Sequence, residues 1–411
     1  MEFVSIAVLR YHAKRNRGQL FAMPPRFFKA VLICTTLLWW SNPAHGQIQR
    51  IVSPDTTVGN HFGTAVDFDE GRVLVGASGE HSCGENAGAA YIFEPAIDGR
   101  YGLVARLAPA NCKTGRFFGH VAALSGDVAL VGGTKGFLGG SVPNPVYIFE
   151  RREDGTSSET AQLLPDNVDD ALGFGASVAL EGARAVVTSV GDPGVALPGT
   201  AFVFERRADG AWTQVERIQR SGAFGAFAVL DGDRLAVTAP GVGTHPDGGI
   251  YVFERDALGI WQEIGRIGGL SEASLRCDLE GDRLVVGRSS AEQKQQGRTE
   301  VYERRSDGRW ELEETLRPIS SYDFGAFGTN VALSGSRLLI VGYAEQINLP
   351  YNIDRVVYVF NRLLNGEWRQ QHIIDVGNTG FGVSIDLDDQ TALIGEASDD
   401  KRGAAYIVRL F

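Results

Sequence analysis

A Phe-Gly pair returns along this chain about every fifty residues, and a repeat of that period dictates an array of like units rather than one ordinary core. The pairs are Phe62-Gly63, Phe118-Gly119, Phe174-Gly175, Phe224-Gly225, Phe327-Gly328 and Phe381-Gly382. The wide gap between Phe224 and Phe327 holds a degenerate copy at Ala273-Ser274, which makes seven. A few residues after each start comes a tight turn, as in Leu124-Ser125-Gly126-Asp127 and Leu279-Glu280-Gly281-Asp282, and then a short apolar run such as Val73-Leu74-Val75-Gly76. After a variable loop comes an aromatic and β-branched strand, for example Tyr91-Ile92-Phe93-Glu94 or Tyr251-Val252-Phe253-Glu254. A fourth strand follows, headed in four copies by Trp212, Trp261, Trp310 and Trp368.

Four short antiparallel strands per unit predict an all-β fold, a seven-bladed β-propeller of four-stranded blades. The last copy stops at Phe411, directly after its third strand, and Gln47-Ile48-Gln49-Arg50-Ile51 resembles the fourth-strand segments Val215-Glu216-Arg217-Ile218 and Ile264-Gly265-Arg266-Ile267. The N-terminal strand is therefore expected to complete the seventh blade and close the ring, hiding a sheet edge that would otherwise stay unpaired. The recurrent Phe, Gly and Trp positions are read as packing: Phe buries area between blades, Gly permits close backbone approach, and Trp covers an outer apolar edge.

The Phe-Gly start, the Leu-Ser-Gly-Asp turn, the Thr238-Ala239-Pro240 element and the Tyr-Val-Phe strand resemble FG-GAP repeats, with the bacterial variety the nearest likeness. The resemblance spans Gln47 to Phe411 and implies the propeller fold of integrin α chain N-termini, an extracellular location and a role in binding or adhesion. It implies no enzyme. FG-GAP blades of the integrin type often carry an Asp-x-Asp-x-Asp-Gly calcium loop, which no repeat here contains. The nearest approaches, around Asp67 and Asp69 and around Asp386 and Asp388, are too short to gather the six or so oxygens calcium takes. No cofactor is expected, calcium being the one weak candidate.

Residues 1–46 read as a cleaved Sec-type leader and residues 47–411 as the propeller. Basic residues from Arg10 to Lys29 precede the apolar run Ala30 to Trp40, about half the roughly 20 residues a membrane-crossing helix needs, and Ala44 and Gly46 supply small residues for cleavage. Met23 is a plausible true start, because it gives a leader of ordinary size. The expected location is secreted, periplasmic or cell-surface. The chain carries a formal net charge of −11, and loss of the basic leader makes it more acidic still. Such a charge repels phosphate backbones and anionic head groups, so no nucleic-acid partner and no membrane insertion are expected, and the propeller is expected to be a monomer.

Cys83 and Cys112 fall in two loops that a propeller brings to one face, so a disulfide between them is expected, while Cys277 reads as a buried packing residue. The channel-facing segments, such as Thr64-Ala65-Val66, His120-Val121-Ala122 and Val383-Ser384-Ile385, are small and apolar, with His120, Arg276 and Asn330 the polar exceptions. No paired carboxylates and no Ser, His and acid set are apparent there, and His61, His81, His245 and His372 lack metal-ligand spacing. The chain is accordingly read as not an enzyme. The loops between second and third strands differ in every blade: Gly79 to Gly88, Thr134 to Pro145, Gly287 to Glu300 and Gly342 to Arg355 share no motif. The expected function is recognition of a protein or glycan ligand by that loop-bearing face. A lectin-like propeller is the alternative, and an extracellular hydrolase or lyase a more distant one.

Overall fold

The computed structural model describes residues 48–133, 144–167, 173–192, 194, 197–241, 248–270, 274–289, 297–319, 326–345, 353–377, 380–398 and 402–411. The predicted leader, Ala273, His245 and much of the variable loops lie outside these residues. Seven four-stranded antiparallel sheets form the ring, and in six of them the strands follow chain order from the channel outward. Blade one shows the plan, with strands Phe62–Asp69, Arg72–Ala77, Ala89–Pro95 and Tyr101–Leu107.

The seventh sheet has the one exception in order. Its outermost strand is the N-terminal Ile48–Ile51, paired antiparallel with Ala404–Arg409 in the register Ile48 to Val408 and Ile51 to Ala405. The predicted closing strand is thus in place, and the ring has no free edge at its junction.

Middle strands are buried on both faces, because each sheet is covered by a blade on either side. Arg72–Ala77 is buried throughout, and Tyr91, Ile92 and Phe93 are buried in succession. The outer strand Tyr101–Leu107 instead alternates toward exposure. The third strand is bulged against the fourth at one equivalent position in blade after blade, between Ile92 and Phe93, Ile148 and Phe149, Val203 and Phe204, and so on. A bulge adds right-handed twist, which these blades need to pack in a ring.

The Phe-Gly signature has a direct physical cause. Phe62 is fully buried and meets Phe93 edge-on at 6.0 Å between ring centroids; Phe118 repeats the contact with Phe149 at 5.9 Å and Phe224 with Phe253 at 6.3 Å. Gly63 has φ +93°, and a Cβ there would lie 2.3 Å from the Ala404 carbonyl oxygen of blade seven. At Gly119, φ is +87° and the same atom would meet the Ala89 carbonyl of blade one at 2.1 Å. Glycine is required twice over at these positions, by its dihedral and by backbone of the preceding blade. In the degenerate blade five, Leu270 and Leu275 fill the cluster that holds Ile250, Val252 and Ile267, a role Phe takes elsewhere. Of the recurrent tryptophans, Trp261 and Trp368 are buried, with Arg184 and Arg283 stacked over them at 5.4 and 5.8 Å, and Trp212 and Trp310 are partly buried.

Candidate functional site

Three regions of the ring can carry chemistry: the channel, the face of tight turns and the face of long loops. The channel, a cavity of about 420 Å3, differs from its sequence reading. Asp67, Asp278 and Asp386 occupy one equivalent repeat position, immediately beyond the segments that read as small and apolar, and all three line the cavity. The expectation of a channel without paired carboxylates is corrected accordingly.

These acids are held by backbone. Asp67 accepts the Leu124 N–H, Asp278 the Leu333 N–H at 2.7 Å, and Asp386 the Phe68 N–H at 2.6 Å, each from the next blade. Surrounded by protein, the Asp278 carboxyl is pushed up to about 7 by desolvation. Asp67 and Asp386 hydrogen-bond one another across the closing junction, and burial raises both, Asp67 further because the Asp386 charge faces it. Asn330 bridges blades by donating to the Gly382 and Val383 carbonyls at 3.0 and 2.8 Å, and Arg276 donates to its Oδ1 at 3.3 Å while stacking on Phe227. His120 is held below the usual histidine range by burial, with His61 and Arg276 adding to the effect. Cys277 is buried and its thiol pushed up by desolvation, as suits packing rather than nucleophilic chemistry.

The turn-bearing face is a repeating clamp. At the end of six of the seven inner strands a polar side chain accepts the N–H of the next blade's turn: Asp69 from Gly126, Ser125 from Gly182, Glu181 from Gly232, Asp231 from Gly281, Glu280 from Gly335 and Ser334 from Asp389. Arg72, Arg184, Arg234, Arg283 and Arg337 each donate to the carbonyl of that same turn residue. Farther out, Arg151 pairs with Glu94 at 3.0 Å, Arg206 with Glu150 at 2.8 Å, Arg255 with Glu205 at 3.1 Å and Arg304 with Glu254 at 3.0 Å, each across a blade boundary. The acidic turns weighed for calcium therefore serve here: Asp67, Asp69 and Asp386 direct oxygens to backbone N–H groups of the next blade. Among the described residues, no group of three His, Cys, Asp or Glu is placed to hold a metal ion.

The opposite face carries the loops, and at blades one and two the described residues include them in full over 78–88 and 108–117. The predicted Cys83–Cys112 disulfide is present, with Cα atoms 6.2 Å apart. Backbone bonds run beside it, from Gly115 N–H to Glu85 O at 2.8 Å, Phe117 N–H to Asn86 O at 2.9 Å and Phe118 N–H to Ala87 O at 3.1 Å. The buried Glu80 carboxylate accepts Arg106 at 2.6 Å and the Tyr91 hydroxyl at 2.8 Å, and desolvation followed by that acceptor raises Tyr91 to about 12. Asn86 and Phe117 adopt φ of +51° and +52°, a strained choice, above all for a bulky aromatic. Beside this platform opens a cavity of about 240 Å3, walled by Pro109, Phe118, Tyr147 and Leu164 and flanked by Lys113 and Arg116. Asn144 lines it at 6% exposure. Sequence reasoning found the disulfide but not this cavity; the Asn144-Pro145 pair before a strand was its one visible trace.

Comparison with known proteins agrees with the geometry. A family model described as FG-GAP repeat matches residues 45–93. No curated protein sequence matches significantly. The acylaminoacyl peptidase of Pyrococcus horikoshii is similar in structure at TM-score 0.50 and 9% identity, covering 86% of this chain and 52% of that one. The β-propeller domain of the Trilobed protease from Pyrococcus furiosus follows at 0.48 and 10%, covering 87% and 95%, and the periplasmic gluconolactonase of Pseudomonas aeruginosa at 0.45 and 15%, covering 77% and 86%. The likeness concerns fold, and it corrects one expectation. A propeller shared with a peptidase gives no ground for reading this chain as not an enzyme, and that reading is withdrawn.

Proposed function

That the chain is an FG-GAP-like β-propeller protein is the premise from which we propose its function: an exported recognition module that meets its ligand with the loop-bearing face. The observation that carries this reading is the asymmetry of the two faces. On the turn-bearing face, one set of Arg, Asp and Glu contacts recurs from blade to blade and is consumed in holding the ring. On the loop-bearing face the segments share no motif, and at blades one and two the described loops are fastened by a disulfide, by an ion pair from Arg106 to the buried Glu80 and by strained backbone. Rigid, non-repeating surface on a repeating scaffold is the usual ground for recognition.

Export is part of the proposal. The disulfide suits an oxidising compartment, and among the described residues no helix is long and apolar enough to cross a membrane. Glycan arrays and cell-surface pull-downs with the purified protein test the reading, with saturable capture of a defined glycan or protein expected. Capture that is non-saturable and follows net charge alone would defeat it.

A further inference from the structure

We infer that the loop-bearing end of the central channel is a binding site for a small organic carboxylate, held by the guanidinium of Arg276. The inference goes beyond the loop-face reading and does not depend on it. Three observations lead to it.

The first is how Arg276 is held. It is the one Arg or Lys among the described residues that line the channel cavity, and it stands three residues after the degenerate start of blade five. The same repeat position carries Phe227 in blade four and Asn330 in blade six. Arg276 stacks on the Phe227 ring at 4.7 Å, and its Nε donates to Asn330 Oδ1 at 3.3 Å. Asn330 is fixed in turn, because its Nδ2 donates to the Gly382 and Val383 carbonyls. Braced by both neighbouring blades, the guanidinium has its plane and direction set before any ligand arrives, which lowers the ordering cost of binding.

The second is what that bracing leaves over. Arg184, Arg206, Arg234, Arg255 and Arg304 are all paired with carboxylates. Among the described residues, the terminal guanidinium nitrogens of Arg276 have neither a hydrogen bond nor an ion pair. Burial lowers Arg276 below the usual arginine range, and no carboxylate acts against that shift. A desolvated charge without a counter-ion is costly, and a bound anion would supply one. The side chain is only partly buried and borders the cavity, so a ligand can reach these donors. With Nε committed to Asn330, the two terminal nitrogens form a fork that matches one planar carboxylate.

The third is the potential along the channel. His61 and Arg276 both act to hold His120 unprotonated, so the end that these residues share is positive. Asp67, Asp278 and Asp386 line the same cavity two positions farther along their strands, about 6.6 Å nearer the turn-bearing face. Three acids at that depth repel a multiply charged anion such as phosphate more strongly than a monocarboxylate. The cavity of about 420 Å3 has room for a whole small molecule, and Val121, Ala176 and Phe227 give its tail an apolar wall.

Calorimetric titration of the purified protein with butyrate tests this, with butanamide, inorganic phosphate and sulfate as comparison probes. Butyrate is expected to bind saturably, and the other three at least about tenfold more weakly. Arg276→Gln, which can still donate to Asn330, is expected to abolish binding and leave the melting temperature equal or higher, because it removes an uncompensated charge. Arg276→Lys, which keeps the charge without the fork, is expected to retain binding weakened about tenfold. An NMR titration of the His120 ring locates the site: saturating butyrate should raise its pH midpoint in the parent and leave it unmoved in Arg276→Gln. No saturable heat with butyrate, equal binding of butanamide, tighter binding of phosphate or sulfate, undiminished binding by Arg276→Gln, or a His120 midpoint that butyrate does not move would each overturn the proposal. None of these results bears on capture by the loop-bearing face, so the two readings fail separately.

Discussion

The two faces of the ring differ in what their polar groups do. On the turn-bearing face Asp69, Glu181, Asp231 and Glu280 each hold the next blade's turn, and the arginines beside them bind the same turn's carbonyl. On the loop-bearing face Glu80 and Arg106 brace a single loop, while among the described residues Lys113, Arg116 and the Asn144 amide make no such bonds. Repetition marks the groups that maintain the ring, and in the function we propose the face that departs from repetition is the one that meets a partner. Substitutions that separate stability from binding can sharpen or break this division.

The largest effect is expected where the blades touch most closely. Gly119→Val places a branched side chain at positive φ against the Ala89 carbonyl, and denaturant unfolding should show a loss above about 4 kcal/mol or no soluble protein. Phe62→Ala should cost about 3–5 kcal/mol by the cavity it leaves. The Cys83→Ser, Cys112→Ser pair comes next: its 29-residue span predicts a loss of about 3–4 kcal/mol, and reductant should lower the melting temperature of the parent but not of the variant. Glu181→Ala, on the turn-bearing face, should cost about 1 kcal/mol and leave ligand capture untouched.

Smaller still, and separate in kind, is the response to pH. A carboxyl raised by folding is stabilising while protonated, so the Asp278 contribution is present below its ordinary range near 3.8 and is lost as pH climbs through about 7. Melting temperature should therefore rise as pH falls from 8 toward 5, and Asp278→Asn should flatten that slope. An unchanged slope would show that Asp278 does not carry it. Chelation by EDTA is expected to leave the melting temperature unmoved, and a large drop would reassign Asp67, Asp69, Asp386 and Asp388 to a metal.

How much of this was legible in the sequence depended on whether the cause was local or repeated. Phe62-Gly63 and its copies were readable because one steric need recurs at every blade boundary, and Ile48–Ile51 because a missing fourth strand is a countable absence. The degenerate fifth blade was placed by its spacing, although Leu270 and Leu275, which take over its packing, carry no motif. Cys83 and Cys112 were paired by loop placement alone. The Asp67–Asp386 contact escaped because it joins the two ends of the chain and lies one residue beyond the segments that looked apolar. The orphaned Asn144 escaped for another reason: burial without a partner is a property of the folded surroundings, and no spacing announces it.

The division of faces is tested most directly by blocking each in turn on the same blade. Ala208→Cys lies exposed on the turn-bearing side of the strand Trp212–Arg220, and Ser221→Cys lies exposed at its loop-bearing end. Each variant is biotinylated, capped with streptavidin and applied to the same glycan and protein arrays. Capture lost with the cap at position 221 and retained with the cap at position 208 is the predicted result; loss only at 208, or at neither, would contradict the account.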